Sequence, residues 1–215
     1  SFVHLHTHSN YSLLDGACRI EELVAAAVAG DMPALALTDH NALYGAVPFH
    51  DACDAAGIQP IIGMELDMAG RHTVVLLARD AEGYRNLCRL SSLLQAAPDR
   101  DAALAAGASL ADLDAHRAGL IALSGGRRGA VDAALRGDEK VEAARAAGQY
   151  ADIFGADNYL LELQIAGDAD TEHGVRLTML GRRLGLRCVA TANVHYVEPA
   201  ASERYRTLAA MRTLT

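Results

Sequence analysis

The sequence contains no tryptophan, and aromatic residues of all kinds make up only 5% of its 215 residues. It also has no excess of basic residues, since 19 lysines and arginines stand against 27 aspartates and glutamates, and the net charge is −8. Proteins that bind along duplex nucleic acid usually have a basic surface. The charge therefore argues against an extended DNA-binding track, and we expect any contact with nucleic acid to be a strand end in a local cleft.

Cysteine is sparse and scattered. Cys18, Cys53, Cys88 and Cys188 lie far apart without a CxxC pair, so no disulfide framework is expected. There is no signal peptide, and no apolar run approaches the roughly 20 residues that a membrane span needs, which predicts a cytoplasmic protein without a membrane partner. A GxSxG nucleophile motif, a P-loop and a convincing GxGxxG are missing as well, which argues against several common enzyme classes.

The sequence does have a run of alternating histidines at its start. His4, His6 and His8 would share one face of a β-strand, because successive side chains of a strand point to opposite faces. Asp15 follows within a few residues, and imidazoles with a carboxylate suit zinc or manganese. The alternative is an ordinary polar strand end. His4 lies deeper in the strand and is expected to support the site or the core rather than to bind metal.

Short apolar runs alternate with helix-length segments along the chain. This alternation predicts right-handed βαβ units and a parallel sheet close to a (β/α) barrel, in one α/β domain over residues 1–215. The chain is expected to be a piece of a longer one. The segment Ala96–Gly107 has no clear period and is predicted as a loop or frayed helix. The seven predicted strands lie in Phe2–His8, Ala34–Asp39, Pro60–Met68, His72–Ala78, Leu120–Ser124, Tyr159–Gln164 and Cys188–Asn193.

Polar residues of the kinds that bind metals fall where the predicted strands end. The carboxyl ends of parallel strands meet at one rim, where α/β enzymes place their active sites, so these distant residues are expected to become neighbours. His72 is the exception, since it begins its strand. His50, His116 and His173 fall within or at the ends of predicted helices and are expected to face solvent. The residues at strand ends are His6, His8, Asp39, His40, Glu65, Asn193 and His195.

The chemistry that fits such a rim is hydrolysis of a phosphoester. Divalent ions there can hold a phosphate, lower the pKa of a bound water and stabilise the leaving oxygen. The glycine-rich turn Ser124–Gly129 leads into a helix, so its backbone N–H groups are suited to an anion, and Arg127 and Arg128 are expected to bind phosphate oxygens. The alternative for this turn is a plain strand-to-helix connection with solvated arginines.

Several blocks of the sequence together resemble the polymerase and histidinol phosphatase (PHP) domain. They are His4–Ser9, Ser12–Gly16, Ala36–His40, Tyr44–Val47, Gly63–Glu65, Leu120–Gly125 and Val189–Tyr196. Ser12–Gly16, Asn193–Tyr196 and Gly83–Leu87 are more similar to the form at the N-terminus of the bacterial DNA polymerase III alpha subunit than to the small-molecule phosphatases. Ser124–Val131 and Ala192–His195 are more similar to the error-prone alpha subunits.

The resemblance implies a distorted (β/α)7 barrel that holds up to three divalent ions, zinc or manganese, with magnesium as an alternative. One further ligand position falls at Gly126, which has no side chain, and Asn193 stands where many members of the family have aspartate. We therefore expect a partly depleted centre that still binds metal. His8, Asp15 and His40 are expected to be catalytic. The ligand positions carried over are His6, His8, Asp15, His40, Glu65, His72, Asn193 and His195.

Three functions are compatible with this resemblance. The first is a metal-dependent phosphoesterase, acting as a 3′–5′ proofreading exonuclease on single-stranded DNA ends within a polymerase alpha subunit. The second is a catalytically weak module that braces the polymerase and binds other replication subunits. The third is a free-standing phosphatase of the same superfamily that acts on a small molecule. The blocks similar to the polymerase form favour the first two over the third.

Overall fold

The computed structural model describes residues 2–214, apart from the side chain of Ala169. Six strands form one sheet in the order β1-β2-β3-β4-β5-β6. Among the residues described, no helix is both long and apolar enough to cross a bilayer. The strands are β1 Ala34–Leu37, β2 Gln59–Met68, β3 His72–Ala78, β4 Leu120–Leu123, β5 Tyr159–Gln164 and β6 Arg187–Thr191.

Helices occupy most of the segments between strands. The segment predicted as a loop or frayed helix contains a helix, α4, whose first turn is capped by the Asp99 side chain, which accepts a hydrogen bond from the Ala102 backbone N–H. The helices are α1 Ile20–Ala29, α2 Ala46–Ala56, α3 Ala81–Gln95, α4 Arg100–Ala106, α5 Leu110–Ala115, α6 Ala130–Arg136, α7 Lys140–Phe154, α8 Asp168–Leu184 and α9 Ser202–Thr213, with 3-10 turns at Gly126–Arg128 and Pro199–Ala201.

The sheet is mixed, which corrects the prediction of a parallel sheet. Strand β3 runs antiparallel to both β2 and β4, whereas the β1–β2, β4–β5 and β5–β6 pairs are parallel. Only Ala69, Gly70 and Arg71 link β2 to β3, and so short a link permits a hairpin but no crossover helix. As a result, the first residues of β3 lie at the same rim as the carboxyl ends of its neighbours.

The histidine-rich segment at the start of the chain is extended but is not a regular strand. Its carbonyl groups at His4 and Thr7 accept hydrogen bonds from Ala36 and Thr38, beside β1. On its other side, the His6 carbonyl accepts from the Val194 N–H, and the His8 N–H donates to the Val194 carbonyl. The segment therefore connects the β1 edge to the chain that follows β6, and it closes the sheet into the expected distorted barrel with six regular strands instead of seven.

The interior of the barrel is apolar at one end and polar at the other. The apolar end contains Ala36, Val75, Leu77 and Leu123, all buried. Residues two apart along a strand lie on the same face of the sheet. On the inner face, the side chains change from the apolar Leu160 to polar groups near the rim. A larger apolar layer packs between the outer face of the sheet and helices α3, α6, α7 and α8. This arrangement leaves a buried polar chamber under one rim.

Candidate metal centre

Two buried imidazoles, those of His6 and His8, lie in the polar chamber with their ring centroids 5.2 Å apart and their planes tilted by 52°. The Nδ1 atom of His6 is 2.6 Å from the Glu162 Oε1 atom, and the Nδ1 atom of His8 is 3.0 Å from the Ser12 Oγ atom. Ser12 in turn donates its proton to Asp39, so its oxygen accepts from His8. Each Nδ1 atom thus keeps its proton, and the two Nε2 atoms face each other across 3.3 Å, with opposed lone pairs once the second ring proton of His6 is lost.

Glu65 on β2 completes this group. Its Oε2 atom is 3.5 Å from the His8 Nε2 atom, and its Oε1 atom is 4.0 Å from the His6 Nε2 atom. That Oε1 atom is buried and has no hydrogen-bond partner among residues 2–214. Two converging lone pairs beside a buried carboxylate repel one another unless a cation lies between them. The three side chains therefore fit a divalent ion such as zinc or manganese.

Opposing effects act on the proton affinities of these groups. Burial lowers the pKa of His8 well below its usual value. Burial also lowers the pKa of His6, but the Glu162 and Glu65 carboxylates outweigh it and raise that pKa overall. For Glu65, burial favours the neutral acid, yet the hydrogen bond from His40 and the charges of the nearby histidines hold the pKa well below its usual range. Glu65 is therefore ionised at neutral pH and supplies a negative charge to the chamber.

His8 also belongs to a second group, with Asp15 and His195. The rings of His8 and His195 stack with their centroids 4.6 Å apart. The His195 Nδ1 atom lies 3.7 Å from the Asp15 Oδ1 atom, which also forms an ion pair with Arg212 of α9. Residues nearly 200 positions apart in the sequence thus meet at the rim, and His8 is the residue that the two groups share.

His40 lies between two carboxylates at the rim. Its Nδ1 atom is 3.1 Å from the Glu65 Oε2 atom, and its Nε2 atom is 2.8 Å from the Asp67 Oδ2 atom. Burial lowers its pKa, but these two hydrogen bonds and charges raise it to about 9. His40 is therefore protonated at neutral pH in this arrangement, and a metal ion must displace that proton before His40 can act as a ligand.

The structure does not bring His72 to this centre. Side chains alternate across β3, so His72 shares the outer face of the sheet with Val74 and Leu76, which belong to the layer under the helices. The adjacent Thr73 faces the chamber, and its Oγ1 atom is buried without a hydrogen-bond partner in the described chain. In the structure His72 therefore lies outside the centre, and the neighbouring residue that faces inward is a threonine.

Asn193 lies beside the histidine-rich segment, because the next residue, Val194, forms backbone hydrogen bonds with His6 and His8. Asn193 follows β6 and has a left-handed backbone, with φ of 47°. Its side-chain oxygen is buried and accepts no hydrogen bond from the residues described. An unpartnered buried amide oxygen is costly, so a cation or water at that atom would stabilise it.

The glycine at position 126 leaves room that another residue fills. A Cβ atom built on Gly126 would lie 2.1 Å from the Gln164 side-chain nitrogen. The Gln164 amide donates to the Glu162 Oε1 atom at 2.9 Å and accepts from the Arg127 backbone N–H at 3.3 Å. An amide from β5 therefore occupies the place where the family resemblance implies a ligand side chain, which reduces the number of metal ligands on this side.

The two arginines of the glycine-rich turn point in different directions. Both Arg127 contacts to Asp170 are 2.6 Å, so its guanidinium is held at the start of α8 and does not reach the centre. Arg128 lies 3.2 Å from Asp67 and 3.7 Å from Glu65. Of the two predicted phosphate-binding residues, only Arg128 is positioned beside the metal ligands, because Asp170 takes the other.

Two carboxylates beside the ligands, Asp39 and Glu162, are not among the predicted metal ligands. Asp39 accepts hydrogen bonds from the Ser9 backbone N–H and from the Ser9 and Ser12 hydroxyls, and it fixes the loop that carries His8. Glu162, fully buried, accepts from His6 and from Thr191. The sequence did carry a signal for Glu162, because a carboxylate is unusual inside an otherwise apolar strand.

Comparison with known proteins agrees with this geometry. A family model described as the PHP domain matches residues 4–166. An error-prone DNA polymerase of Symbiobacterium thermophilum is 42% identical over 100% of this chain and 21% of its own length. The DNA polymerase III subunit alpha of Treponema pallidum is 40% identical over 92% of this chain and 18% of its own length. The chain thus spans about a fifth of the length of these curated relatives.

A solved structure shares the fold. It is a protein of Bifidobacterium adolescentis proposed to be a metal-dependent phosphoesterase, with a TM-score of 0.61 and 16% identity over 92% of this chain and 89% of that chain. At this identity the likeness concerns the fold alone, and it confirms the predicted distorted barrel. The family match over most of the chain, the barrel and the histidine cluster lead to one conclusion: this chain belongs to the PHP domain family.

Proposed function

We propose that this domain is a metal-dependent phosphoesterase that removes nucleotides from the 3′ ends of single-stranded DNA, within the cytoplasmic DNA polymerase III alpha subunit of which it is a part. The observation that carries the proposal is the convergence of the His6 and His8 lone pairs on the buried Glu65 carboxylate. A divalent ion held there, zinc, manganese or magnesium, supplies Lewis-acid activation of water and of the phosphate.

A cleft beside the centre has the properties of a site for a strand end. Its volume is about 700 Å³, and Asp15 and His40 contribute to its wall. Arg100, Arg128 and Arg212 line it, although the whole chain carries a net charge of −8. Arginines suit phosphate oxygens because their donors match two oxygens at once. The cleft therefore offers local positive charge of the kind that a phosphodiester needs.

Aromatic side chains line the same cleft. Tyr11 and Tyr44 are 40% and 61% exposed at its mouth, in a chain that has few aromatic residues. Stacking of bases on exposed aromatic rings is the usual way in which proteins hold single-stranded nucleic acid without reading its sequence. The two tyrosines favour an unpaired nucleotide over a small phosphorylated metabolite as the substrate.

The side chains at the rim divide the chemistry among them. Arg128 and Arg212 orient the phosphate and offset its charge. His8, Asp15 and His195 keep one another in position at the rim, where the phosphate would react. His40, whose ring is held between Glu65 and Asp67, would become a ligand once the ion displaces its proton.

The second candidate function is a module that braces the polymerase and binds other replication subunits without cleaving DNA. The specific observation in its favour is the loss of ligands on one side of the chamber, where Thr73 faces inward and Gln164 fills the space at Gly126. Under this alternative the remaining histidines bind metal for stability only.

A cleavage assay separates these functions. Purified protein is incubated with a 5′-labelled single-stranded oligonucleotide and Mn²⁺ or Zn²⁺, with chelator in a parallel sample. The proposal predicts stepwise shortening from the 3′ end that chelator abolishes. Intact oligonucleotide with metal bound would instead support the bracing module. Faster turnover of an aryl phosphate than of DNA would support a small-molecule phosphatase.

Replacing Arg128 with alanine is expected to lower kcat/KM on the oligonucleotide by about 10- to 100-fold, which corresponds to one charge-assisted hydrogen bond of roughly 1.5–3 kcal/mol. Arg183→Ala is the control, because Arg183 is an exposed arginine of α8 that does not line the cleft. Its kcat/KM should remain within about twofold of the unmodified protein. Equal losses in the two variants would show that Arg128 has no special role at the phosphate.

A further inference from the structure

Glu162 on β5 is a buried carboxylate that the metal-binding groups do not include. Its side chain has no exposure to solvent. Burying a carboxylate costs several kcal/mol unless partners compensate, and replacing a buried ionic group with an apolar one is often neutral or stabilising. A carboxylate that serves only the fold is therefore a poor choice at this position.

All of the Glu162 contacts converge on one oxygen. Its Oε1 atom accepts from the His6 Nδ1 atom at 2.6 Å, from the Thr191 hydroxyl at 2.5 Å and from the Gln164 amide at 2.9 Å. Its Oε2 atom is buried and has no hydrogen-bond partner among the residues described. Thr191 and Gln164 thus hold the carboxylate at the ring, and the shortest nitrogen–oxygen contact goes to His6.

This contact gives His6 a different environment from His8. The His8 Nδ1 proton is directed to a neutral hydroxyl, that of Ser12, whereas the His6 Nδ1 proton is directed to a full negative charge. A carboxylate behind an imidazole fixes the tautomer with its lone pair on Nε2 and increases the basicity of that nitrogen. The His6 Nε2 atom is the one that faces His8.

We propose that Glu162 is a positioning residue for His6, which makes His6 the stronger of the two imidazole ligands and sets the affinity of the centre for zinc. The inference rests on the proposed metal centre, but it does not require that the centre cleave DNA. Thr191 and Gln164 support the same carboxylate, so the three residues act on the metal through one ring nitrogen.

Two substitutions separate the charge of Glu162 from its hydrogen bond. Glu162→Gln keeps an oxygen that accepts the His6 proton but removes the charge, whereas Glu162→Leu removes both at similar volume. The expected loss of Zn²⁺ affinity, measured by competition with a chromophoric chelator, is about 10-fold for the glutamine variant and about 100-fold for the leucine variant. The visible spectrum of bound Co²⁺ should also shift in both variants. Glu172→Gln, on the exposed face of α8, is the control and should leave both readouts unchanged.

Thermal unfolding without metal tests whether Glu162 serves the fold instead. Glu162→Leu leaves the His6 ring and the Thr191 hydroxyl without an acceptor and is expected to lower the Tm, whereas Glu162→Gln keeps an acceptor and is expected to keep the Tm of the unmodified protein. A weaker affinity for Zn²⁺ in the glutamine variant at unchanged Tm therefore reports the lost charge. Unchanged Zn²⁺ affinity and an unchanged Co²⁺ spectrum in both variants would overturn the positioning role while the metal centre stands. Failure of the unmodified protein to bind Zn²⁺ or Co²⁺ would overturn this role together with the proposed centre. Loss of cleavage alone would affect only the proposed exonuclease.

Discussion

Replacing His8 with alanine is expected to reduce zinc and manganese affinity by more than about 100-fold, beyond the 10- to 100-fold that loss of an outer partner causes. The reason is geometric, because His8 belongs both to the group with His6 and Glu65 and to the group with Asp15 and His195. Losing one side chain therefore weakens two sites at once. Elemental analysis after gel filtration, with calorimetric titration of the metal, measures the effect.

The matched control is His50→Ala. His50 lies on α2, and its side chain is 62% exposed, so its loss should change neither metal content nor Tm. His173 is unsuitable for this purpose, although the sequence predicts that it faces solvent. Its Nε2 atom is 2.7 Å from the Asp132 Oδ1 atom and its side chain is only 10% exposed, so alanine there would remove one of the two partners of a buried carboxylate, leaving only Arg136. Equal metal content in the His8 and His50 variants would contradict the assignment of the centre.

The barrel and the rim were predictable because both follow from local periodicity. Apolar runs of strand length separated by helices indicate an α/β fold, and polar residues at the ends of those runs indicate one shared rim. His6, His8, His40 and Glu65 do lie together for that reason. The hairpin between β2 and β3 was also visible in principle, since three residues cannot contain a crossover helix.

The ligand at the start of β3 could not be assigned from residue type alone. A shift of one residue moves a side chain to the other face of a sheet, so His72 and Thr73 have opposite environments although they are neighbours in sequence. Histidine is the better ligand type, and residue type alone does not show which face of the sheet a side chain occupies. The antiparallel pairing of Asp67 with Thr73 supplies that register.

Other features depend on contacts between distant parts of the chain. Arg127 and Asp170 are 43 residues apart, and nothing near either one indicates that they pair. Likewise, Gln164 reaches the space above Gly126 only because β5 and the turn after β4 are neighbours in the barrel. Sequence patterns fix which residues can carry out the chemistry, whereas these pairings decide which of them are free to do so.

In the metal-free protein, the free energy of unfolding is expected to fall as the pH rises from about 6.5 to about 9. The carboxylates of Asp67 and Glu65 outweigh burial and raise the pKa of His40 from 6.5 to about 9. The folded protein then binds this proton more tightly than the unfolded chain does. The stabilisation is fully present below pH 6.5 and is lost as the pH rises through 9, a change on the order of 3 kcal/mol or roughly 5–10 °C in Tm.

Below pH 6.5 the free energy of unfolding is expected to fall as the pH falls. Burial lowers the pKa of His8, so the unfolded chain binds a proton that the folded protein does not. Urea unfolding in chelator at pH 5.5, 6.5, 7.5 and 9 should therefore show a maximum near pH 6.5. His40→Gln should reduce the fall on the alkaline side and leave the part due to His6, whose pKa the Glu162 and Glu65 carboxylates also raise, whereas the exposed control His50→Gln should leave the fall unchanged.

Adding zinc should reverse the change of the free energy of unfolding with pH above 6.5. The ion takes the place of the proton between His40 and the carboxylates, so its binding strengthens as the His40 ring loses its proton. A metal-bound protein is thus expected to be more stable at pH 8 than at pH 6.5, while the metal-free protein is less stable. The same alkaline slope with and without zinc would show that His40 does not contact the metal. His40 would then be limited to its ion pairs with Glu65 and Asp67.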